Sequence, residues 1–116
     1  MTQLFAVLRA HGPAWKQGQP LEAQEGWLAH AALMDAMAAE GFIVLGGPLG
    51  ADEALLIIRA KDEGEVRARL RADPWGEEML KLSWIAPWTI RLGKANLAMA
   101  SKDRLRRASF PAGSGR

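Results

Sequence analysis

Between Trp27 and Pro48 the chain reads W-L-A-H-A-A-L-M-D-A-M-A-A-E-G-F-I-V-L-G-G-P, and this run limits the fold more than any other. From about Leu21 to Glu40 the pattern is helical, and its alanines and methionines suit a helix interior. Trp27, His30, Met34 and Met37 are spaced by three, four and three, so they form one stripe, with Leu33 extending the buried side. Gly41 supplies the left-handed residue that commonly ends a helix. Phe42–Leu45 is then a short apolar strand, and Gly46-Gly47-Pro48 is its exit, where glycines let the backbone bend or a ligand approach closely. His30 therefore sits on the apolar side of a helix that leads straight into a sheet.

The flanking segments complete the pattern. Leu4–Leu8 is an apolar strand ended by Arg9, and His11 to Pro20 is a loop rich in glycine, proline and glutamine. Trp15 within that loop packs down either on the core or over a pocket. Leu49–Glu53 is a turn, and Ala54–Arg59 is a third strand that forms an antiparallel hairpin with the second. Asp62 followed by Glu65 makes a capping box for a second helix, with Val66 and Leu70 facing inward and Arg67, Arg69 and Arg71 on a solvated face. Asp73-Pro74 stops that helix, because the residue before proline is pushed out of the helical region. A short turn or helix from Pro74 to Leu80 leads to a fourth strand, Leu82–Leu92, which Pro87 confines to an edge or interrupts. Strand–helix–strand–strand–helix–strand is the ferredoxin-like α+β plan, built on an antiparallel four-stranded sheet.

Length and charge set the remaining bounds. The 116 residues suffice for one core, which we place in residues 1–92. Residues 93–116 carry six basic side chains and one acid, or +5, so the body carries −3 of the net +2. The basic tail reads as flexible and solvated. An acidic body argues against a nucleic-acid-binding domain. No apolar run approaches the roughly 20 residues that span a bilayer, and residues 1–10 do not resemble a signal peptide, so neither a membrane nor an export route is expected and a cytoplasmic location is. The absence of cysteine removes disulfides, thiolate catalysis and cysteine-based metal sites. Two histidines without a His-x-x-x-His pattern or a carboxylate cluster suggest no metal, and no cofactor motif is present: Gly46-Gly47-Pro48 lacks the lysine and spaced glycines of a phosphate loop.

The strands also predict an assembly. L-F-A-V-L, F-I-V-L and A-L-L-I-I show no polar alternation, whereas a sheet covered on one side alternates. Two helices cover only one side of four strands. The other side is then an apolar surface larger than monomers usually expose, and a second copy packed sheet to sheet, as a homodimer, covers it most simply.

The run from Gly12-Pro13-Ala14-Trp15 through Trp27-x-x-His30, Met34-Asp35, Gly41-Phe42 and Leu45-Gly46-Gly47-Pro48-Leu49 resembles the YCII-related (YciI-like) proteins. Ala72-Asp73-Pro74-Trp75 and Ile85-Ala86-Pro87-Trp88 extend the likeness, which spans roughly residues 4–92. The resemblance implies a dimeric α+β barrel of ferredoxin-like subunits. It also implies a site centred on His30 and Asp73, and metal-free elimination or isomerisation of a small molecule. Many members carry an arginine three residues before the histidine. This chain has Trp27 there, which makes for a more apolar pocket.

His30 can take or give a proton near neutral pH, and Asp73 would fix its tautomer if the exit of the second helix folds against the first. Each has a plainer role available: His30 as a core histidine bonded to a backbone carbonyl, Asp73 as the N-cap of a helix starting at Pro74. His11 is either a second base or a surface loop residue. Trp15, Trp27 and Trp75, with Met34 and the Gly46, Gly47 and Pro48 backbone, are candidates to line a pocket for an apolar or aromatic molecule. Trp84 and Trp88 read as core or dimer-interface residues. The expected function is cofactor-independent acid/base chemistry by His30 and Asp73. The alternatives are a non-catalytic small-molecule-binding or regulatory homodimer and a structural partner protein acting through the basic tail.

Overall fold

The computed structural model describes residues 1–93; the basic tail lies outside them. Strand β1 spans Gln3–His11, helix α1 Trp27–Ala39, β2 Ile43–Leu49, β3 Glu53–Ala60, helix α2 Glu63–Leu70 and β4 Leu80–Trp88. The sheet order is β4-β1-β3-β2 and all neighbours are antiparallel. Each helix thus connects two strands with a third lying between them. The result is an α+β sheet of four antiparallel strands with two helices, compatible with a ferredoxin-like fold.

Alternation along the strands sorts the side chains. Phe5, Val7 and Arg9 of β1 share a side with Leu56, Ile58 and Ala60 of β3, and Met37 of α1 with Val66 and Leu70 of α2 close over the apolar part. The register of β4 against β1 shifts between Leu8 and Arg9, where Ser83 has no partner. That extra residue lets Leu82 pack against the same core as Ile85 despite their odd spacing. Asp62 accepts from the backbone N–H of Glu65, and Gly41 follows α1 with φ +90°, so the start of α2 and the end of α1 form as their residues predict.

Four boundaries differ from the sequence expectation, each for a local reason. Helix α1 begins at Trp27, not Leu21, because Gly26 turns left-handed (φ +80°) and leaves Leu21–Ala23 as a separate 3-10 turn. Strand β2 continues through Gly46-Gly47-Pro48: it is an edge strand, where proline is tolerated, and Gly46 leaves room for the Leu56 side chain. Strand β1 runs on to His11, carrying Arg9 into the fold. Strand β4 spans Leu80–Trp88 and contains Pro87, again at an edge.

The opposite side of the sheet carries Leu4, Ala6, Leu8, Leu55, Ile57, Trp84 and Trp88 by the same alternation. No helix covers it. Trp84 and Trp88 are accordingly 46% and 42% exposed, so a core role for them within one chain does not hold. Among the described residues no helix is long and apolar enough to cross a membrane.

Gly12 ties the end of β1 to the segment before β4. Its N–H donates to the carbonyl of Met79, and a Cβ there would overlap the carbonyl oxygens of Glu77 and Glu78, which leaves glycine as the residue that fits. This contact brings the 73–79 segment alongside Arg9.

Candidate active site

Arg9 is a charged residue on the buried side of a central strand, only 4% exposed. A cation there needs a partner, since desolvating an unpaired charge costs several kcal/mol, about 3–5 by the usual effect of removing one member of a buried pair. The partner is Asp73, whose Oδ2 accepts from Arg9 Nη1 at 2.8 Å. Nη2 of the same guanidinium donates to the carbonyls of Trp75 (3.0 Å) and Leu80 (3.2 Å). Arg9 therefore fixes the chain from Asp73 to Leu80 against β1.

Asp73 does not cap a helix, because residues 74–79 form turns. Its Oδ1 instead accepts from the backbone N–H of Trp75, two residues on, at 2.9 Å, which closes a local turn of the Asx type. The carboxylate is fully buried and also meets Nδ1 of His30, at 2.9 Å from Oδ1 and 3.0 Å from Oδ2. Burial pushes the Asp73 carboxyl upward, but the hydrogen bonds from His30, Arg9 and the Trp75 N–H outweigh it and hold the group below the ordinary carboxylate value. An ionised carboxylate can only accept, so Nδ1 of His30 is the donor. In the neutral ring the lone pair then lies on Nε2, which has no hydrogen-bond partner among the described residues.

Aromatic packing holds the imidazole in place. It stacks on Trp75 with centroids 3.9 Å apart and planes 13° from parallel. Trp75 is 1% exposed, and its indole N–H donates to the carbonyl of Glu25 at 2.6 Å. Trp15 meets Trp75 edge-on at 5.4 Å, and Trp27 meets it at 5.9 Å. The loop that carries Trp15 is anchored by buried Gln24, whose amide accepts from Lys16 N–H and donates to the carbonyls of Lys16 and Gln19.

In front of His30 lies a cavity of about 680 Å³. Met34, Asp35 and Ala38 of α1 form one wall, Ile43–Pro48 of β2 another, and the 15–19 loop with the β2–β3 turn forms the mouth. His30, Arg9, Trp75 and Leu80 reach it from below. Of the residues singled out from the sequence, His30, Trp15, Trp75, Met34, Gly46, Gly47 and Pro48 line this space. Trp27 does not; it packs behind Trp75. Asp73 does not either; it contacts the imidazole through Nδ1 and stands outside the lining. His11 is no open loop residue: it ends β1, stacks on Trp15 at 3.7 Å and faces the cavity.

Arg9 is the residue of this site that the sequence hides. Read as the terminator of a five-residue strand, it looks solvated. Its parity with Phe5 and Val7 is the signal that places it inward. Among the described residues no group of three or more His, Asp or Glu side chains is clustered as a metal site would require. No family model matches the chain, and no curated protein or solved structure shows significant similarity to it.

The carboxylate's depressed ionisation makes a stability prediction. A lowered value contributes stability that is present above the ordinary carboxylate value of 3.8 and lost as pH falls through the lowered one. Asp73→Asn, which leaves Arg9 buried without its counter-charge, is expected to cost about 3 kcal/mol at neutral pH. That gap should narrow as the pH drops below 3.8, where the unsubstituted protein loses the same advantage. Urea denaturation midpoints measured across the range check this; a gap that stays constant down to strongly acid pH contradicts it.

Proposed function

We propose that the chain is a small cofactor-independent enzyme of the YciI-like type, which moves a proton on an apolar or aromatic small molecule in an elimination or isomerisation. The observation that carries this reading is the bond from His30 Nδ1 to the buried Asp73 carboxylate, which turns an unpartnered Nε2 toward a cavity walled by Trp15, Trp75 and aliphatic side chains. Nε2 takes a proton from the substrate, and the imidazolium that results is stabilised by Asp73. In an isomerisation His30 returns that proton at another atom of the substrate; in an elimination the proton leaves with the departing group. Arg9 keeps the carboxylate ionised, so that it stays an acceptor throughout.

Crystals soaked in metabolite mixtures are expected to show density within hydrogen-bond reach of Nε2. With a turned-over ligand found this way, His30→Gln should lower turnover by at least about 10²-fold while binding persists. Unchanged turnover would remove the base from the reading.

The same proposal includes a homodimer, with the helix-free sides of two sheets packed together into a barrel. Trp84, Trp88, Leu45 and Leu49, all more than a third exposed, would be its buried centre. Sedimentation should show a dimer that Trp84→Lys converts to monomers. A monomer at all concentrations would contradict the barrel without touching the histidine site.

A further inference from the structure

The cavity's charge is one-sided. Its one cationic side chain apart from the histidines, Arg9, is committed: all three of its hydrogen bonds go to Asp73 and to backbone carbonyls, and 4% of it is exposed. Arg9 and Asp73 also cancel each other, so the floor beneath His30 presents no net charge. By contrast, Asp35 in the α1 wall and Asp52 in the β2–β3 turn line the space, both exposed, and neither is closer than 3.8 Å to a cationic group among the described residues. Glu53 also borders it. Among the residues that line the space an anionic ligand would meet carboxylates and no free lysine or arginine; the exposed Lys16 of the loop is not one of them.

The walls point the same way. Trp15, only half-buried, borders the cavity, and an indole face attracts a cation through its quadrupole, by roughly 0.5–2 kcal/mol depending on how far the pair is desolvated; Trp75, 1% exposed beneath the His30 ring, adds apolar lining only. His11 stacks on Trp15, and its Nδ1 is buried without a hydrogen-bond partner, 3.8 Å from Asp52 Oδ1. His30, 6% exposed, offers its unpartnered Nε2 to the same space as a lone pair and carries no fixed charge in that state. Acidic side chains, an aromatic wall and a floor without a spare cation form one environment.

We infer that the cavity is selective for a protonated amine carried on an aromatic or apolar body, with Asp35 and Asp52 on the side of the ammonium group and Trp15 beside the ring. This rests on the reading of the His30 cavity as the ligand site and adds the substrate's charge to it. The body lies toward Nε2, and the ammonium lies toward the mouth.

Tryptamine and indolepropionate have the same ring and nearly the same length but opposite charge. The full chain is titrated with each at about pH 8, where free histidine is neutral, following the indole N–H resonances of Trp15 and Trp75. Tryptamine is expected to bind at least about tenfold more tightly, as two nearby carboxylates in a partly desolvated mouth would give. In an Asp35→Asn, Asp52→Asn variant, altered at two exposed positions, the preference should fall below about threefold. Equal or tighter binding of indolepropionate, no perturbation by either probe, or a preference that survives the double substitution each overturns the inference. None of these outcomes bears on whether His30 moves a proton, which the turnover of His30→Gln tests separately.

Discussion

The pairing of Arg9 with Asp73 inside the protein is the interaction on which the rest of the structure depends. Either charge alone would be an expensive thing to bury. Together, with the Trp75 N–H and two backbone carbonyls completing the hydrogen bonds, they form a neutral knot that joins a central strand to the segment after α2. His30 closes the knot from α1. Three parts of the chain that are distant in sequence are therefore held by one carboxylate. The imidazole's orientation is a by-product of the same bonds that hold the sheet's last segment in place.

This sharing of roles explains why the imidazole is packed and bonded on one side and borders open space on the other. Trp75 is anchored by the Arg9 contact to its carbonyl and by its own indole bond to Glu25, and the imidazole lies flat on it. The cavity begins where α1 stops covering the sheet, over β2, whose glycines bring no side chains into the space. The sheet is thus used twice. One side provides the core and the site, while the other, with its exposed tryptophans, is an apolar surface that two helices cannot reach.

Much of the fold was legible because hydrophobic runs, a glycine stop and a capping pair act locally. Gly41 ends α1 and Asp62 starts α2 for reasons contained within a few residues. The stripe Trp27, His30, Met34, Met37 likewise follows from helical spacing. What could not be read locally was long-range. Arg9 is 64 residues from Asp73, and nothing near it in the sequence announces a buried partner. Asp73-Pro74 looks like a helix start, but the segment folds to the tertiary demand of Arg9 and Gly12 instead. Trp27 was a pocket candidate by its turn-spacing from His30. In three dimensions it packs against Trp75 and stands outside the cavity lining.

With only two histidines in the chain, a long-range proton–nitrogen NMR spectrum reads the central arrangement directly. If Asp73 is held as an ionised acceptor by Arg9, the neutral His30 ring should carry its proton on Nδ1 and leave Nε2 bare, and Asp73→Asn should release that preference. A His30 ring protonated on Nε2 in the unsubstituted protein, or one indifferent to Asp73→Asn, would contradict it.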